Sequence, residues 1–165
     1  MTTQAPAYRL LLACACLWCA LLVLPPALSG LWPGSSAAGA VYALFSRVCH
    51  QWDSHSLHLF GVKLAVCVRC FAVYAGFLAG VLLAPRVHGA ERWDARRAWL
   101  WAGAPMLADV LLGAASWYEP TTASRLLTGA WFGVIAGLLL TPPFVSAFSR
   151  YFSPRSAVTP QRTIA

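Results

Sequence analysis

Between Leu10 and Leu28 the chain reads LLLACACLWCALLVLPPAL, without one charged residue. A helix rising 1.5 Å per residue needs about 20 mostly apolar residues to cross a bilayer. Three more runs meet that description, at about Leu64 to Leu83, Ala98 to Trp117 and Leu126 to Phe148. Backbone groups in lipid are satisfied only within helices or closed barrels, and these runs lack the alternation of barrel strands. The expectation is an all-α polytopic membrane bundle of four transmembrane helices. It forms a single domain over residues 1–150, with a polar, disordered tail over 151–165.

Composition agrees with a chain that meets lipid. Apolar residues make up 59 % and charged residues 10 %, against roughly 25 % charged in soluble domains. The net charge of +7 forms no dense basic stripe, so no nucleic-acid partner is expected; the partner is the bilayer. Four spans place Arg9, Arg86, Arg92, Arg96, Arg97, Arg150, Arg155 and Arg162 on one side. Arg47, Lys63, Arg69 and Arg125 fall on the other, a bias of eight to four. Positive flanks stay inside, so the termini are expected in the cytoplasm and the protein in a plasma or bacterial inner membrane. A rival reading takes Arg9, the first run and "ALSG" as a signal peptide cleaved after Ser29. It leaves three spans and the same outward loop.

Smaller signals concern packing. Gly76 and Gly80, and Gly129, Gly133 and Gly137, repeat at four-residue steps that let helix backbones approach, though glycine is also simply common in membrane helices. The stretch from Ser35 to Arg47 suits a short interfacial helix with Tyr42 and Phe45 on the lipid side.

Chemistry concentrates in RVCHQWDSHSLHLFGVKLAVCVRC, residues 47–70, within the motif region 47–76. It holds three of the six cysteines and three of the four histidines. Cys67 and Cys70 form C-x-x-C at the outer end of the second run, where a helix N-terminus favours thiolate. With Cys49 they offer three thiolates, and His50 is the favoured fourth ligand of a zinc-type tetrahedral site. Adjacent ligands need a tight turn, so His55 or His58 are alternatives to His50. The same atoms also suit a quinone-linked thiol–disulfide oxidoreductase, although only Cys49 remains on that face to relay electrons. A plain structural clip is the third reading. Cys14, Cys16 and Cys19 lie inside the first run and read as packing residues. His88 reads as a solvated loop residue.

Asp109 lies within the third run, where a carboxylate is costly and marks a functional or paired group. Arg125, Arg69 and Glu119 complete an expected polar network beneath the cysteines. Arg125 is the favoured partner because it opens the next helix after a short loop. Pro105, one turn earlier, is expected to bend the helix.

"CHQWDSHSLHLFG" followed by "CVRCFAVYAGFLAG" resembles the domain-of-unknown-function family 2085. The matching residues are Cys49, His50, Gln51, Ser56, Phe60, Gly61, Cys67, Arg69, Cys70, Tyr74 and Gly76. "APMLADVLLG" and "EPTTASRLLTGAWFG" are similar to its second block, through Pro105, Asp109, Arg125, Thr128 and Gly129. After C-H-Q, where the family often carries Pro-Glu-Arg, this chain has Asp53, Ser54 and His55. The resemblance spans about Arg47 to Gly137 and implies a small polytopic membrane protein without an assigned activity. No phosphate-cradling glycine loop, serine elbow or carboxylate pair supports a nucleotide-dependent or hydrolytic reading.

Overall fold

A computed structural model describes residues 5–32, 36–87 and 94–152. Five helices and one hairpin account for most of them. Helix α1 spans Ala5–Leu31, α2 Ser36–Phe45, α3 Val68–Leu83, α4 Ala95–Ala114 and α5 Thr122–Phe152. A single 3-10 turn, Asp53–His55, leads into β1 (Ser56–Leu59) and β2 (Val62–Cys67). His88 and most of the C-terminal tail lie outside the described residues.

Helix α1 runs through Pro25 and Pro26 and continues past the apolar run to Leu31. Each proline removes one hydrogen bond to the preceding turn. Both rings are fully buried, so their packing offsets the missing bonds, a tolerance common in membrane helices. Helix α2 also departs from expectation. Phe45 is fully buried rather than lipid-facing, edge-on to Trp18 with ring centroids 5.0 Å apart.

The second apolar run is not helical throughout. Its first residues belong to β2, which pairs antiparallel with β1 in the register His58 to Lys63 and Leu59 to Val62. The turn between them is Phe60–Gly61, with φ of 55° and 75°. Two consecutive left-handed residues match the strand twist of a two-residue hairpin. Leu64, Ala65 and Val66 are all buried. A strand buried on both faces is continuously apolar, so periodicity cannot separate it from the helix that follows. The expected loop is thus a hairpin, and α3 keeps 16 residues, roughly 24 Å of helix.

Close backbone approach joins α3 to α5. A Cβ on Gly76 would stand 2.5 Å from the Ala130 carbonyl oxygen, and one on Gly137 2.5 Å from the Phe77 carbonyl oxygen. One on Gly129 would meet the Arg69 carbonyl oxygen at 2.8 Å. The four-residue glycine steps are therefore a helix seam. Gly137→Val should lower thermal stability in detergent by about 1–3 kcal/mol or more, through overpacking. Gly103→Ala, on an α4 position with nothing within 4 Å, should be neutral or stabilising. Equal effects of the two would contradict the seam.

Among the described residues two helices are long and apolar enough to cross a membrane, Pro6–Leu31 and Thr122–Arg150. The four-span count expected from the sequence is thus supported for two: α3 is shorter, and α4 carries Arg96, Arg97 and Asp109. Arg9, Arg86, Arg96, Arg97 and Arg150 sit at helix ends away from the hairpin. Lys63, Arg69 and Arg125 lie at the hairpin end with Arg47.

Candidate metal centre

Three elements bring three sulfurs together. Cys49 follows α2, Cys67 ends β2, and Cys70 lies in the first turn of α3. Their Sγ atoms all lie within 4.8 Å of one another, and all six cysteines of the chain are free thiols. Tetrahedral ligation at about 2.3 Å from zinc separates sulfurs by roughly 3.8 Å, so closure around an ion needs about 1 Å of adjustment. Cys67 caps α3 in an extended conformation, φ −68° and ψ 164°. Its sulfur therefore stands before the helix while Cys70 rises from within it, and the C-x-x-C pair straddles the helix start.

Backbone donors are already aimed at the sulfur of Cys49. It accepts the Gln51 N–H at 3.4 Å and the Cys67 N–H at 3.2 Å. Such bonds stabilise negative charge on sulfur, the state that ligates metal. The Cys70 thiol, hydrogen-bonded to Cys67, pulls the Cys67 thiol down to about 5. Cys49 is buried in a cluster with Leu22, Phe45, Ala65 and Val66, against which Cys67, Cys70, Phe71 and Tyr74 pack.

Gln51 holds the C-H-Q turn in place, a role not apparent from the sequence. Its backbone is left-handed, φ 53°. Its side-chain amide donates to the carbonyls of Tyr42 at 2.8 Å and Ala65 at 2.9 Å, while Lys63 Nζ donates to the Gln51 carbonyl at 3.1 Å. The Tyr42 hydroxyl donates to the Lys63 carbonyl at 2.5 Å. Helix α2, the turn and β2 are thereby fastened as one unit.

Of the described histidines, His50, His55 and His58, none joins the sulfur group. His50 is exposed, its ring edge-on to Trp52 with centroids 6.1 Å apart. His55 lies with Nε2 at 3.3 Å from Arg125 Nη2. His58 pairs with Asp53 at 3.2 Å on the exposed strand β1. His50 is the one of the three that neighbours a cysteine of the sulfur group in sequence.

The polar network is arranged differently from expectation. Asp109 is buried and its carboxylate accepts from Arg69, not Arg125. The Tyr118 hydroxyl donates to the other carboxylate oxygen, and this holds the phenol above its usual range. The Ser124 hydroxyl donates to the Thr121 carbonyl at 3.0 Å, in the first turn of α5. Arg125 leans instead toward His55 in the hairpin entry. Glu119 is exposed and enters no ion pair among the described residues. Arg69 wins because it sits at the start of α3, facing the end of α4 where Asp109 is buried, while the Arg125 stem rises on the hairpin side of α5. Tyr118 carries no sequence signal, since nine residues across a helix end follow no period.

Comparison with known proteins bears on the same residues. The family described as "Predicted membrane protein (DUF2085)" matches residues 49–162. The chain belongs to the DUF2085 family. An uncharacterised protein of Methanocaldococcus jannaschii is 30 % identical over 114 residues, covering 68 % of this chain and 73 % of the relative. No solved structure matches the chain. The DUF2085 match opens at Cys49, the first sulfur of the cluster, and takes in the hairpin, the α3–α5 seam and the Asp109 network.

Proposed function

We propose that this DUF2085 protein binds one thiophilic metal ion, zinc being the best fit, at the membrane boundary. Cys49, Cys67 and Cys70 are the sulfur ligands and His50 the fourth. The observation that carries this reading is the convergence of three sulfurs around a cysteine whose sulfur already accepts two backbone N–H bonds. Borderline-soft zinc favours such mixed thiolate and imidazole shells. In this reading four helices span the membrane and the termini are cytoplasmic, in a plasma or inner membrane. The hairpin lies at the outer surface, because open strand edges do not occur in hydrocarbon. The site is structural or sensory; a thiol–disulfide oxidoreductase and a clip serving a larger assembly are the rival readings.

The test is metal analysis and thiol titration of protein purified in neutral detergent without chelator. The expected result is one zinc per chain with three protected thiols. Cys67→Ser should lose nearly all of the metal, and His50→Ala should lower affinity by about 10-fold or more, while His55→Ala and His58→Ala change little. A metal-free protein with a reducible Cys67–Cys70 disulfide and bound quinone would instead establish the oxidoreductase reading. Outward placement is checked by a membrane-impermeant thiol reagent on intact cells after metal removal. Labelling of Cys67 and Cys70 only after permeabilisation would invert the topology.

A further inference from the structure

Two arginines near the hairpin carry buried donors that meet no acceptor among the described residues. The Nε atoms of Arg69 and Arg125 are both buried and without a hydrogen-bond partner among the described residues. A buried guanidinium N–H left unpaired is costly, and its presence calls for an acceptor.

The two side chains start from adjacent points of the fold. Gly129, one turn after Arg125, packs against the Arg69 backbone. Asp109 is bonded by Arg69 at the same place. His55 closes the hairpin side, 3.3 Å from Arg125. Within this cluster Arg69 is paired with the Asp109 carboxylate, while Arg125 meets His55 and enters no ion pair among the described residues, which leaves one positive charge over in a half-buried setting. Guanidinium is the group that best matches planar or tetrahedral oxyanions, through parallel N–H bonds.

The depth of the cluster narrows the choice of anion. Trp117 and Phe60, 80 % and 79 % exposed, stand at the same end of the bundle, as aromatic residues do at the headgroup level of a bilayer. At that level phosphate is the prevalent oxyanion, from lipid headgroups or from solution. The geometry points to a phosphate-class oxyanion site formed by Arg125 and Arg69 with His55 beside them. Arg69 lies between Cys67 and Cys70, so the site adjoins the sulfur cluster without sharing its sulfur atoms.

The experiment follows thermal unfolding of the purified full chain in neutral detergent, by tryptophan fluorescence at constant ionic strength. Inorganic phosphate is titrated against chloride, and micelles containing phosphatidylglycerol are compared with phosphatidylcholine alone. Saturable stabilisation by inorganic phosphate would identify a site open to the free anion. A response to phosphatidylglycerol only would identify the lipid headgroup as the source; either supports the site. Arg125→Gln should weaken the response about 10-fold or more, as the loss of a charge-assisted bond requires. Arg125→Lys, which keeps the charge and protects the fold, should weaken it without abolishing it. Arg47→Gln, an exposed cation of the same end, should leave it unchanged. No stabilisation by either probe, or an equal loss in Arg47→Gln, would overturn the proposal.

Discussion

Asp109→Asn should destabilise the protein by about 3–5 kcal/mol, the cost of leaving one partner of a buried ion pair unpaired. The carboxylate side chain is 4 % exposed and that of Arg69 22 %, so water can relieve part of the stranded charge and the lower end of that range is expected. Combining it with Arg69→Gln should recover part of the loss, giving a coupling of about 0.5–3 kcal/mol, as contacting residues show. Combining it with Arg125→Gln should recover less. Denaturation of the wild type, the three single variants and the two double variants in one detergent measures all of these. Recovery with Arg125→Gln but not Arg69→Gln would place the pair where the sequence alone suggests it.

The second large effect is expected on metal removal. A ligand held only by the folded state stabilises it by about 4 kcal/mol when free ligand is a thousandfold above Kd. Chelation of the zinc-loaded protein should therefore lower the unfolding midpoint, and the loss should be local. The amides of Gln51 and Cys67, which donate to the Cys49 sulfur, should exchange with deuterium much faster. Amides in the α3–α5 seam should exchange at nearly their former rates. Uniform acceleration across both regions would mean the cluster is no separate unit. No change on chelation would argue against bound metal.

What the sequence made legible, and what it hid, divides along physical lines. The apolar runs announced the helices because length and lack of charge are one-dimensional properties. Helix α1 tolerates Pro25 and Pro26 because burial of both rings offsets the lost bonds. The hairpin was hidden for a related reason: Leu64, Ala65 and Val66 are buried on both sides and read as the beginning of a helix. The Phe60–Gly61 turn was a visible cue, since glycine accepts the positive φ that the turn needs.

At the site, spacing located the C-x-x-C pair and suggested Cys49 as a companion, but it could not choose among three histidines. That choice depends on χ angles and on partners such as Asp53 for His58 and Arg125 for His55. The partner of Asp109 failed for the same reason. Sequence distance favoured Arg125, whereas helix packing presents Arg69. Gln51 and Tyr118 act through contacts across the chain, which no local pattern encodes.

X-ray absorption at the metal edge, on full-length protein purified without chelator, addresses the metal-centre reading most directly. Three sulfur scatterers at about 2.3 Å and one nitrogen at about 2.0 Å are predicted, with the nitrogen replaced in His50→Ala and the sulfur count reduced to two in Cys49→Ser. A shell of light atoms only, or no bound metal with all three thiols freely reactive, would contradict it.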